Sequence, residues 1–387
     1  MNYWLKNVIY TFIFSILLSS TASANQCIHY FKNPNNNTNI SKATSAQTMG
    51  FHTWSRLSQH KLEKGVASSE ITFKADSPVF DIHFKNKPVV PGFMLAKIMA
   101  SNGALLLAPN SQPATIQTYA ANNVICTKKI LPNTPLKVHS EKVTDPKLIK
   151  GLIKIKSEVY TEAGVFLASG EFIIGEHDAL TTTKGQTRAK NTKLDFADLV
   201  STRDIKDYMP QAGDLLLVDR IIQLPSSPAL ASIKQLHKES IFNENNHKIV
   251  SGLLNTKRHK SILDRSSREN PQFPAELQIE LMAQVATFHQ FQTWKEVNMG
   301  HSNRKPVSVA LSEVHSFEVI NPIAHPSQLR INVSVIESTP RKRLTTKLFQ
   351  AEIVDANTGA LYSYAKFSGI IAKPKASKPN SNSLSIK

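Results

Sequence analysis

The sequence predicts an α+β protein made of two similar units, each a curved antiparallel sheet wrapped around one buried helix. Two observations carry this. An apolar, helix-like run sits in the middle of each half, from Gly92 to Leu107 and from Ala275 to Trp294. Each run is followed by strand-like segments that alternate apolar and polar residues, the period of a strand with one buried face. A helix followed by an antiparallel meander can bury its apolar faces only by wrapping the sheet around the helix.

Each helix carries a start signal. Pro91-Gly92 precedes Phe93, Met94, Leu95, Ile98 and Met99, and Pro274-Ala275 precedes Leu277, Ile279, Leu281 and Met282. Proline costs little here, because first-turn N–H groups have no intrahelical partner. A small residue beside it lets a ligand approach those amides. Strand-like runs follow at Val124 to Val138, Leu152 to Tyr160 and Val165 to Ile174. In the second half they fall at Val307 to Val319, Leu329 to Glu337, Thr345 to Val354 and Leu361 to Ile371. The shared order of features marks an internal repeat.

Composition sets the boundaries. Residues 25–48 are rich in Asn, Ser and Thr and read as a flexible lead-in. Residues 181–193 carry basic residues and no acidic ones, and read as a linker. The tail, 374–387, holds Pro, Ser, Asn and Lys and is expected to be disordered. That leaves one unit over 49–180 and another over 194–373.

The chain opens with Lys6, an apolar run from Val8 to Leu18, and small residues ending Ala22-Ser23-Ala24. This order is that of a secretory signal peptide over residues 1–24. It predicts export to the periplasm or cell envelope. The same residues also fit an uncleaved inner-membrane anchor, with membrane association through the N-terminus. The net charge of +17 favours anionic partners. No zinc-finger, Walker or RNA-binding aromatic pattern accompanies it, so nucleic acid is not an expected partner. Only Cys27 and Cys126 occur, which excludes a disulfide framework and a cysteine-based zinc site. His52, His247 and His289 show no metal-ligand spacing, and neither metal nor cofactor is expected.

One segment is more specific than these patterns. Phe80-Asp-Ile-His83-Phe-Lys-Asn-Lys-Pro88-Val-Val-Pro91-Gly92, continuing through the helix to Ala100, resembles the active-site segment of the bacterial 3-hydroxyacyl-ACP dehydratases. The second half resembles the same superfamily through other pieces. Asp204 to Arg220 is similar to the family's N-terminal helix and first strand. Phe273-Pro-Ala-Glu-Leu-Gln-Ile-Glu280-Leu-Met-Ala-Gln284 is similar to its central helix. The fold this resemblance implies is a double hotdog, an intrachain pseudo-dimer of two sheets, each around a central helix.

The departures from the family pattern are as informative as the matches. Lys97 stands where the family places an acidic residue. In the second half Glu280 and Gln284 are present, but no His-Phe segment precedes them. A charged insertion, Asn243 to Asn270, takes its place, and Ala275 replaces the usual glycine. Family sites lie between two subunits, one giving the histidine and the other the carboxylate. The resemblance therefore implies one composite site, with His83 as base and Glu280 as acid. Gly92 is expected to supply an oxyanion-stabilising N–H, Phe93 to line the acyl tunnel, and Gln284 to bond Glu280 or the substrate. The second, pseudo-equivalent site is expected to be inactive.

The implied activity is dehydration of a 3-hydroxyacyl thioester carried on acyl carrier protein or CoA, or the reverse hydration. Two other readings stay open: an acyl thioesterase, and a non-catalytic acyl- or lipid-binding double hotdog in the envelope. Tyr208 and Asp219 resemble structural positions of the family, and Met94, Met99 and Met282 are expected in the core.

Overall fold

A computed structural model describes residues 57–83, 88–107, 116–176, 197–200, 205, 209, 211, 215–223, 249–259, 272–298, 309–341 and 344–372. The predicted signal, lead-in, linker and tail lie outside these residues, as do Cys27, His52, Tyr208 and His247. In the first half, β1 (Ser58–Glu63) and β2 (Val66–Thr72) precede the short helix α1 (Val79–Ile82) and the central helix α2 (Gly92–Leu107). Strands β3 (Ile116–Cys126), β4 (Pro135–Val143), β5 (Leu152–Thr161) and β6 (Phe166–Glu176) follow. The second half has β7 (Ala197–Val200), β8 (Arg220–Gln223), β9 (Ile249–Asn255), the central helix α3 (Ala275–Asn298), β10 (Val309–Val319), β11 (Gln328–Pro340), β12 (Leu344–Asp355) and β13 (Leu361–Ala372).

Among the described residues these strands form one sheet, in the order β1-β2-β4-β5-β6-β3-β10-β13-β12-β11-β9-β8-β7. The two halves repeat one connectivity: β2-β4-β5-β6-β3 on one side matches β9-β11-β12-β13-β10 on the other. The two expected sheets meet edge to edge, where β3 pairs antiparallel with β10 from Glu313↔Ile125 to Glu318↔Ala120. Edge strands that would otherwise leave backbone groups unpaired satisfy each other at this seam.

Each central helix lies in the concave face of its half. Phe93, Met94, Leu95, Ile98 and Met99 of α2 are buried, as are Leu277, Ile279, Leu281, Met282 and Val285 of α3. A helix buried on nearly every side needs this near-continuous apolar run. Gly103 lets α2 approach β5, since a Cβ there would lie 1.9 Å from Ile155 Cδ1. The adjacent Asn102 is fully buried. Its Nδ2 donates to Ala67 O at 2.9 Å and Ser140 Oγ at 2.8 Å, and its Oδ1 accepts from Ser69 Oγ at 2.5 Å. This polar belt ties α2 to β2 and β4.

Three sequence readings change. The run Val124 to Val138 is two strands, parted by a turn in which Asn133 has φ 60. Part of the expected insertion, Ile249–Asn255, is the strand β9, paired with both β8 and β11 and burying Val250 and Leu254. Strands β1 and β2 were not anticipated. They close through Lys64-Gly65, both at positive φ (47 and 81), the geometry of a tight two-residue hairpin.

Candidate active site

His83 ends α1. Its N–H donates to Val79 O at 2.8 Å, and its backbone then turns extended. The residue is 5% exposed. Its Nδ1 lies 3.3 Å from Val89 O. A carbonyl only accepts, so Nδ1 carries the hydrogen and the ring lone pair sits on Nε2. Burial lowers the imidazole pKa to about 4, against a smaller opposing effect of the Val89 bond. At neutral pH His83 is therefore uncharged. Phe84 to Lys87, which complete the sequence motif, lie outside the described residues.

Glu280 sits in the second turn of α3 and is 7% exposed. Burial raises its carboxyl pKa to about 7, although hydrogen bonds from Gln284 and Gln211 favour the charged form. Gln284 Nε2 and Gln211 Nε2 both donate to Oε1, each at 2.9 Å. Oε2 receives no hydrogen bond among the described residues and is the oxygen left to carry or release a proton.

Both residues line one cavity of about 200 Å³ between the halves. Gly92 and Phe93 line it from the start of α2, and Ile279 and Ala283 from α3. Gly92 is exposed to this space while Pro91 and Phe93 on either side are buried. As a first-turn residue its N–H has no intrahelical acceptor. The nearest atom to a Cβ at Gly92 would be Cys126 Sγ at 3.9 Å, so protein packing alone does not demand glycine. The walls are mostly apolar, while Lys128, Lys129 and Glu313 add charge.

Four of the five sequence-selected residues, His83, Gly92, Phe93 and Glu280, thus share this cavity. Gln284 does not line it. Its Nε2 also donates to Leu215 O at 2.7 Å, and its Oε1 accepts from Leu217 N–H at 2.9 Å. Those bonds place it behind Glu280, away from the cavity. Sequence reasoning missed Gln211, Cys126, Lys128 and Lys129. Lys128 and Lys129 follow β3 as a basic pair, a weak signal. Nothing in the sequence links Gln211 to Glu280. Asp219 is structural: it accepts from Asn255 N–H at 2.6 Å and Arg258 Nη1 at 3.1 Å.

The pseudo-equivalent position, around Lys97 and the start of α3, holds a cavity of about 40 Å³. There Thr118 Oγ1 donates to the buried Glu276 at 2.7 Å, and Gln117 bonds Gln272. These contacts cross between the halves and fill space that stays open at the other position.

Residues 52–165 match the FabA-like domain family. No curated protein matches the chain. Solved structures similar to it include the dehydratase domain of PpsC from Mycobacterium tuberculosis in complex with C12:1-CoA, at 11% identity, covering 81% of this chain and 98% of that one, TM-score 0.47. The dehydratase domain of RzxB from Pseudomonas fluorescens is 9% identical, with 81% and 97% covered and TM-score 0.47. The acyl-CoA thioesterase II TesB2 from Mycobacterium marinum is 10% identical, with 84% and 99% covered and TM-score 0.45. The chain folds as a double hotdog, two repeats of a sheet around a central helix, and residues 52–165 in its first half are similar to the FabA-like domain.

Proposed function

We propose that the protein dehydrates 3-hydroxyacyl thioesters, or hydrates the corresponding enoyl thioesters, at the single cavity shared by His83 and Glu280. The observation that carries this reading is the meeting of these two residues, one from each half, in one largely apolar cavity. His83 Nε2 takes a proton from C2. The C3–O bond breaks, Glu280 delivers a proton to the departing hydroxyl, and water leaves as the C2=C3 bond forms. Charge developing on the thioester oxygen is met by the Gly92 N–H at the positive end of α2. The acyl chain lies against Phe93 and Ile279. Lys128 and Lys129 suit the phosphate of a CoA or carrier-protein arm.

Burial supports the same assignment. It keeps the base neutral and the acid protonated in the same pH range, as a base–acid pair requires. Activity is expected to rise with a limb near pH 4, as His83 loses its proton, and to fall with a limb near pH 7, as Glu280 does. His83→Ala and Glu280→Ala are each expected to abolish turnover of a 3-hydroxyacyl-CoA, followed by enoyl absorbance. Activity retained in both variants would sink the proposal. Release of free thiol would favour a thioesterase, and acyl ligand bound without turnover a binding protein.

Export through residues 1–24 belongs to the same proposal. Mature protein beginning at Asn25 supports it; mature protein retaining Lys6 places the chain on an uncleaved anchor.

A further inference from the structure

One residue touches both partners of the site from outside the two segments that supply them. The backbone of Gln211 forms an isolated antiparallel bridge with His83. Its side-chain Nε2 donates to Glu280 Oε1 at 2.9 Å. We propose that Gln211 is a positioning residue, its backbone holding the His83 segment and its amide aiming the Glu280 carboxyl so that Oε2 is presented to substrate. This rests on the dehydratase reading of the cavity.

Three details support it. Gln284 reaches the same oxygen, Oε1, and is itself held by Leu215 O and Leu217 N–H. Gln211, Leu215 and Leu217 lie within seven residues of one another, so one stretch of chain restrains the carboxyl through two amides. Gln211 Oε1, meanwhile, is buried without a hydrogen-bond partner among the described residues. Leaving a buried acceptor unpaired is unfavourable. The orientation follows from the carboxyl: with the proton on Oε2, Oε1 only accepts, so the amide nitrogen must face it. Finally, Gln211 lines the cavity, so its removal alters the site directly.

The test uses Gln211→Met, close in length and without the donor, and Gln211→Glu, which puts a like charge beside Glu280. Both keep the backbone bridge. The other titratable or charged groups sharing the cavity are His83, Cys126, Lys128, Lys129 and Glu313, and all are unchanged in both variants. In Gln211→Met, kcat is expected to fall on the order of 100-fold with KM little altered. The ¹³C resonance of the Glu280 carboxyl, identified by its loss in Glu280→Gln, is expected to titrate at higher pH in Gln211→Met. A bond favouring the charged form is gone. In Gln211→Glu it moves higher still. A Glu280 titration unmoved in both variants, or a change in KM alone, overturns the proposal. The NMR titration needs no turnover, so an inactive wild-type protein would sink the dehydratase reading while the role of Gln211 is still decided.

Discussion

Glutamine in place of Glu280 is expected to lower dehydration by about 10²–10⁴-fold, the range of a lost general acid, and at the same time to stabilise the fold above neutral pH. The stability effect follows from linkage. In the folded protein the Glu280 pKa is about 7, against an ordinary value of 4.5. Between those values the native state holds a proton that the unfolded state has released. Stability therefore falls as pH rises through this window, and the full cost is present above pH 7. Glutamine keeps the bulk and has no charge to desolvate. Its advantage in urea unfolding should be small near pH 4.5 and grow to a few kcal/mol by pH 8. His83 works in the opposite sense. Its folded pKa, about 4, lies below the ordinary value 6.5, so the unfolded state binds the extra proton in that window and stability falls as pH drops from 6.5 towards 4. Equal stability of wild type and Glu280→Gln at pH 8 would show that the carboxyl is not held in an apolar setting.

The second large effect concerns the fold. Asn102→Ala removes a fully buried side chain that bonds Ala67 O, Ser140 Oγ and Ser69 Oγ. The loss is on the order of 3 kcal/mol or more, because buried polar groups lose partners and a void opens beside Gly103. The urea midpoint is expected to drop with an unchanged slope. A change within about 0.5 kcal/mol, as for a surface substitution, would mean that the belt contributes nothing. Val285 of α3 is the counterpart of Asn102, counting from Pro274 as from Pro91. Its neighbour on the facing strand β9 is Gly252, where a Cβ would lie 2.5 Å from Val285 Cγ2. At this one position the two halves thus hold their helices by different means, one with hydrogen bonds and the other by close apolar contact.

Much of this was legible in the sequence, and the reasons differ by element. Helix α2 begins and ends where its proline-glycine start and apolar run put it, and α3 extends past Trp294 to Asn298. The meander strands were readable because each alternates large apolar with polar residues. Strand β2 was not, since two of its inward residues are the small Ala67 and the polar Ser69, which weaken the alternation. Strand β9 was hidden in the same way by Ser251 and Gly252, both buried, and by the charged chain around it. His83 and Glu280 stood out because neighbouring residues form a pattern. Gln211 lies 69 residues before Glu280 and has no such neighbours; only folding brings it there.

The joining of β3 to β10 has a mechanical consequence. The halves are held by a ladder of backbone hydrogen bonds, so they cannot part like jaws without breaking that ladder. Under the proposed function, a ligand would pass at the cavity rim, where Lys128 and Lys129 stand exposed just beyond the end of β3. Side chains there rearrange in picoseconds to nanoseconds, far faster than any opening of the sheet. The spacing between α2 and α3 would thereby be insulated from entry and exit, so that each ligand would meet walls set at the same separation.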